Sequence, residues 1–114
     1  MSSDNLLGSF EQLVLLAVAH LGEGAYGMGV RRAVEERTGR DVNIGAVYAT
    51  LTRLEAKSYL SSVEESGDGG RGGRVKRTFR LLPDGIAALR ESHRASTAMW
   101  QDIDPEGLEA IARA

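Results

Sequence analysis

Residues Val42–Leu60 read VNIGAVYATLTRLEAKSYL. On a helix of 3.6 residues per turn, Ile44, Val47, Leu51 and Leu54 fall on one stripe, while Gly45, Ala46, Ala49, Thr52, Arg53 and Ala56 lie roughly opposite. The apolar stripe must dock on a core. The opposite face is unusual for a solvated helix, because it consists of small residues, with Arg53 and Lys57 toward its C-terminal half. A face that smooth approaches another surface closely. The major groove of duplex DNA admits such a helix, with Arg bonding guanine and small residues or Thr meeting thymine methyl groups. An ordinary core helix with an Ala-rich exterior has the same pattern, so the flanking sequence decides between the two.

The 114 residues suffice for one domain with a modest core, and the apolar content of 42% is ordinary for a soluble fold. With no cysteine there is neither a disulfide scaffold nor a thiolate metal site, and the two distant histidines, His20 and His93, leave little for zinc. His20 reads as a surface partner for the end of a helix dipole rather than a ligand. The longest apolar run, Leu13–Ala19, is too short to span a bilayer, and no basic segment precedes an apolar one at the N-terminus, so a cytoplasmic protein is expected. The formal net charge is −2, but Gly70–Arg80 holds five cations (Arg71, Arg74, Lys76, Arg77, Arg80) and no anion. A concentrated basic strip on an acidic chain is a nucleic-acid footprint.

Upstream, Met1–Leu7 is a polar lead, and Ser9 with Gln12 has capping-box spacing. The first helix is predicted over Phe10–Leu21, burying Phe10, Leu13, Val14, Ala17 and Leu21. The glycine-rich GEGAYG of Gly22–Gly27 matches a dinucleotide-binding turn by letter. That reading needs an open parallel sheet which the rest of the chain does not supply, and GDGGRG at Gly67–Gly72 matches equally well. A second helix is predicted from Gly27 or Met28 to Thr38, with Val30, Ala33, Val34 and Arg37 on one face and Gly39 as its stop. Gly27 and Gly29 weaken its first turn, so close packing or a close ligand is expected there. A short turn then reaches Asn43, the predicted N-cap of the central helix, and the pair forms a helix-turn-helix.

After Lys57 the period changes to two. Tyr59–Ser66 and Val75–Leu82 read as an antiparallel hairpin around the glycine-rich, basic tip GDGGRGGR, the arrangement of a wing. Pro83 and Asp84 open a fourth helix to about Gln101, with a thin stripe of Ile86, Leu89, His93, Ser96 and Trp100. Asp104 and Pro105 start a last short helix through Leu108 and Ile111. The fold class expected is mainly α with a small β-hairpin: a winged helix-turn-helix over residues 1–82, then a C-terminal helical region over 83–114 that serves dimerisation.

The order helix, helix, recognition helix, wing, long helix closely resembles the PadR family of winged-helix transcriptional regulators, from about Gly8 to Trp100. Three segments carry the likeness: GSFEQLVLLAVAHLGEGAYGMGVRRAVEERTG with its Tyr26-Gly27 pair, GAVYATLTRLEAKSYL, and GGRVKRTFRLLPDG. The resemblance implies a homodimeric repressor on a palindromic operator in double-stranded DNA, joined through C-terminal helices and, in some members, released by an aromatic effector. No cofactor and no enzymatic activity are expected, since there is no nucleophile elbow and no carboxylate pair clustered with a histidine.

The DNA-contacting residues expected are Tyr26, Gly45, Ala46, Tyr48, Ala49, Thr52, Arg53 and Lys57, with Arg71, Arg74, Lys76 and Arg77 of the wing on phosphates or in the minor groove. The dimer residues expected are Ile86, Leu89, His93 and Trp100. Four departures from the family pattern matter. Ala46 and Ala49 replace a threonine and a proline, Ser58 stands where glycine is frequent, and Leu82 replaces a helix-capping threonine. The first two leave open an alternative, a protein–protein adaptor that keeps the winged fold without operator binding.

Overall fold

The computed structural model describes residues 6–65 and 76–113. Its elements are α1 (Ser9–Leu21), β1 (Ala25–Tyr26), α2 (Gly27–Thr38), α3 (Ile44–Ala56), β2 (Leu60–Glu65), β3 (Lys76–Leu81), α4 (Pro83–Trp100), a 3-10 turn (Pro105–Gly107) and α5 (Leu108–Arg113). The helical expectation holds throughout, and the hairpin is antiparallel with Leu60 opposite Leu81 and Glu65 opposite Lys76. The sequence reading missed β1. It pairs antiparallel with β3 (Ala25 with Phe79, Tyr26 with Thr78), giving a three-stranded sheet of order β1-β3-β2. The same pairing disposes of a dinucleotide turn, because Leu13–Ala19 is helix and the sheet behind GEGAYG is antiparallel.

Two details of α1 differ from expectation. Its N-cap is Gly8, whose N–H donates to the Glu11 carboxylate at 3.1 Å, so the reciprocal bond comes from Glu11 and not from the Ser9–Gln12 pair. Its buried face is centred on Val14, Leu15, Ala17 and Val18, with Phe10 and Leu13 only partly covered and Leu21 exposed. The reason is that α1 packs against α2, α3, β3 and α4 together, so two adjacent rows of side chains are covered instead of one stripe. Val47, Leu51 and Leu54 of α3 meet Val30 and Val34 of α2 and Leu60 and Phe79 of the sheet in the same core. Each fully buried leucine there contributes about 1.5–3 kcal/mol relative to exposure.

The helix ends explain the turns. Gly39 closes α2 in the left-handed region at φ 73°. At the end of α3, the N–H of Tyr59 bonds the Leu54 carbonyl at 3.0 Å and that of Ser58 bonds Glu55 at 2.9 Å. This double bond pattern needs a left-handed residue, and Ser58 supplies it at φ 64° where glycine is easiest. Leu82 caps α4 without a side-chain bond, as its apolar nature dictates. Gly85 allows α4 to press on the start of the sheet, since a Cβ there would lie 2.4 Å from the Tyr59 carbonyl oxygen. Among the described residues no helix is long and apolar enough to cross a membrane.

Candidate nucleic-acid interface

The entry to α3 is fixed from both sides. The Asn43 side chain accepts the N–H of Ala46 at 3.1 Å, the cap expected from sequence. On the other side, the Glu35 carboxylate of α2 accepts the N–H of Val42 at 2.9 Å and pairs with Arg31, clamping the connecting turn. The Val42 N–H, together with Arg31, holds the Glu35 carboxyl below its ordinary pKa. Val47, Thr50, Leu51 and Leu54 point inward, while Gly45, Ala46, Ala49, Thr52, Arg53, Ala56 and Lys57 are exposed on the outer side. Apart from Tyr48 at its edge, no long side chain stands on the first two turns of that surface, and the backbone can be approached closely.

Tyr48 is 42% exposed and lies over Gly27, the first residue of α2. A Cβ at Gly27 would come within 2.3 Å of the Tyr48 ring, so close packing accounts for this glycine. Gly29 is different, because a Cβ there would make only an ordinary contact with Leu21. Beside Tyr48 opens a cleft of about 580 Å³ walled by Tyr26, Gly27, Met28, Gly29, Arg32, Tyr48, Lys76 and Arg77. Within it, the Lys76 ammonium stands 5.3 Å from the Tyr26 ring centre, a cation–π distance. The structure thus brings Tyr26, Tyr48, Lys76 and Arg77 into one cationic, aromatic cleft beside the smooth face of α3. Met28 and Arg32 of α2, which the sequence did not single out, join them.

Arg77 and two cations at the end of α3 sit in carboxylate networks that span elements. Arg77 of β3 donates to Glu55 of α3 at 2.8 Å and to the Ser62 hydroxyl at 3.3 Å, and Ser62 donates to Glu55 at 2.6 Å. These bonds lash the hairpin of β2 and β3 to α3. Farther along α3, Lys57 donates to Glu11 of α1 at 2.9 Å, and Arg53 donates to Glu11 at 3.4 Å and to the Thr50 hydroxyl at 3.3 Å. Burial raises the pKa of Glu11, but bonds from Lys57 and from the Gly8 N–H, with the adjacent positive charges, outweigh it and hold the carboxyl below its usual value. Arg53 and Lys57 therefore lie against α1 and not in the cleft. Arg71 and Arg74, the other wing cations expected to contact DNA, lie outside the described residues.

The expected C-terminal stripe is divided. Leu89 is partly buried against the core, while Ile86, His93, Ser96 and Trp100 are exposed. Among the described residues no cluster of His, Cys, Asp or Glu is arranged to hold a metal ion.

Comparison with known proteins agrees with this architecture. A model of the transcriptional regulator PadR-like family matches residues 15–91. The transcriptional regulator Rv3488 of Mycobacterium tuberculosis is 39% identical over 67 residues, 59% of this chain and 59% of that protein, so the match leaves much of the relative uncovered. Among solved structures, a PadR family transcription regulator from Clostridium difficile superposes with a TM-score of 0.62 at 20% identity, over 91% of this chain and 99% of the other. BpsR of Bordetella bronchiseptica, whose DNA binding is regulated by 6-hydroxynicotinic acid, superposes with a TM-score of 0.60 at 20% identity, over 99% of this chain and 79% of its own. On the family match, with the winged helix-turn-helix described above, the chain belongs to the PadR-like family of transcriptional regulators.

Proposed function

We propose that this protein is a homodimeric repressor of the cytoplasm whose α3 enters the major groove of a palindromic operator. The observation that carries the reading is the outer face of α3, which Gly45, Ala46 and Ala49 keep low through its first turns and which is bordered by the Tyr26–Tyr48–Lys76–Arg77 cleft. Gly45, Ala46 and Ala49 let the helix sit deep, Tyr48, Thr52 and Arg53 meet base edges, and Lys57 lies at the C-terminal end of the same face with its charge held by Glu11. Tyr26 with Lys76, Arg77, Arg71 and Arg74 holds phosphates or the minor groove on the wing side. Residues 83–114 serve dimerisation, with Ile86, Leu89, His93 and Trp100 in the contact. A small aromatic effector near Trp100 is the counterpart of the regulation known for BpsR.

The test is footprinting on the promoter of the protein's own gene, followed by titration of the protected duplex. Arg53→Ala and Tyr48→Ala should each weaken operator binding with the fold intact, by about 1–3 kcal/mol per lost contact and double that in a symmetric dimer. Wild-type affinity in both variants at matched salt removes the groove assignment. No salt-dependent DNA binding at all by the wild type favours the adaptor reading instead.

A further inference from the structure

Glu11 belongs to the first helix and is distant in sequence from the DNA-reading elements, yet it is the hub of their charge. It is one of three buried polar residues, with Thr50 and Ser92, among those described. Its two carboxylate oxygens take three donors: the Gly8 N–H on one, Lys57 and Arg53 on the other. A carboxylate so placed is not a swinging surface partner, because its side chain is 11% exposed and its backbone starts α1. The two cations are the exposed side of the contact, with side chains 54% and 43% exposed for Arg53 and Lys57. Arg53 spends its Nε–H on Glu11 and one Nη2–H on Thr50, which leaves three of its five N–H groups to face outward in a fixed orientation. Lys57 is a point charge with no such directionality, and beside Glu11 its charge is largely cancelled.

We infer that Glu11 is a positioning residue that sets sequence specificity: it aims Arg53 and withholds Lys57 from phosphate. The inference rests on the groove assignment above. Phosphate contacts strengthen binding to every sequence, whereas base contacts separate one sequence from another. A buried carboxylate that ties two cations at the C-terminal half of the recognition helix lowers the first kind of contact and sharpens the second.

The experiment measures binding of the full chain to a mixed-sequence 30-base-pair duplex and to its own promoter fragment by fluorescence anisotropy across a salt series. Glu11→Gln keeps the side-chain length and an acceptor for the Gly8 N–H but removes the charge. For the mixed duplex its plot of log K against log salt should be steeper by about 0.9, one recovered phosphate contact, and its affinity should rise about 3-fold more than that of the wild type between 200 and 50 mM salt. The ratio of promoter to mixed-duplex affinity should fall. An unchanged slope, or an equal loss of affinity for both duplexes, overturns the inference and leaves Glu11 a structural residue.

Lys57→Gln in the wild-type background is the second arm, and it stands even if the Glu11 variant does not fold. With Glu11 present it should change the slope by less than half of the 0.9 that a full phosphate contact carries. A full loss of about 0.9 means that Lys57 already holds phosphate, and the inference fails. If the wild type binds neither duplex, the DNA-binding assignment fails first and takes this one with it. Binding by the wild type with an unaltered Glu11→Gln profile removes the inference alone.

Discussion

From the start of α4 to Ser92, Gly85, Ala88 and Ser92 are buried and Leu89 packs on the core, whereas every residue from Ser96 to Trp100 at the other end is exposed. The first stretch is bonded to the body as well as packed on it. The N–H of Leu82 donates to the Tyr59 carbonyl at 3.0 Å, and the Ser92 hydroxyl accepts the N–H of Leu7 at 3.0 Å. The other end carries Met99 at 78% exposure and Trp100 at 46%, and the apolar series continues through Ile103, Leu108 and Ile111. The radius of gyration, 17.2 Å, exceeds the roughly 13 Å of a compact chain of this length. The contrast teaches that a helix can be core at one end and ligand at the other. Small residues at the base allow close approach, and the large apolar side chains of the other end are left exposed, as the proposed dimer contact requires.

The hardest test of that contrast is Trp100→Asp. If the projecting half joins two copies, the substitution leaves the body folded and abolishes tight dimers. Loss of bivalency should then lower operator affinity by about 100-fold or more although no DNA contact is touched. Sedimentation gives the answer directly, and a folded dimer of unchanged affinity moves the interface elsewhere.

A change at the other end should do the opposite. Gly85→Ala sets a methyl group against the Tyr59 carbonyl, which is backbone and cannot swing aside. It should cost about 1–3 kcal/mol of stability, read from urea unfolding, and should disturb dimerisation only by way of a tilted α4. Unaltered stability shows that the base of α4 is less tightly seated than the geometry implies.

The smallest effect is expected within the body. Ser58→Gly relieves a left-handed residue at the end of α3 and should stabilise the fold by about 0.5–1 kcal/mol without altering self-association. A loss of stability on this change would mean that the Ser58 side chain supplies more than its backbone strain costs.

The elements with a clear period were legible in the sequence. The alternation of Val47, Leu51 and Leu54 with small residues placed both faces of α3, and Asn43 and Gly39 marked helix boundaries by chemistry that acts within a few residues. What stayed hidden was short or non-local. A two-residue strand at Ala25–Tyr26 has no period, and its partner lies more than fifty residues downstream. The side-chain bonds of Glu11 reach across 42 and 46 residues to Arg53 and Lys57, so nothing around position 11 announces them. Arg32 had no motif around it to single it out, and only the fold places Tyr48 and Lys76 beside it. The candidate reading face was therefore visible, while the carboxylates that hold its cations were not.

The sheet order has one more consequence, for how copies of this chain avoid each other where contact is unwanted. Unpaired strand edges invite strand addition and fibrous aggregation. Here β1 offers an edge of two residues, too short to template a further strand, and β2 ends its open edge in Glu64 and Glu65. Another molecule adding to β2 in antiparallel register would bring like charges together or leave them unmatched. The protein can thus carry a small sheet at high local concentration without polymerising through it, and the dimer proposed above, joined through helices, needs no strand edge.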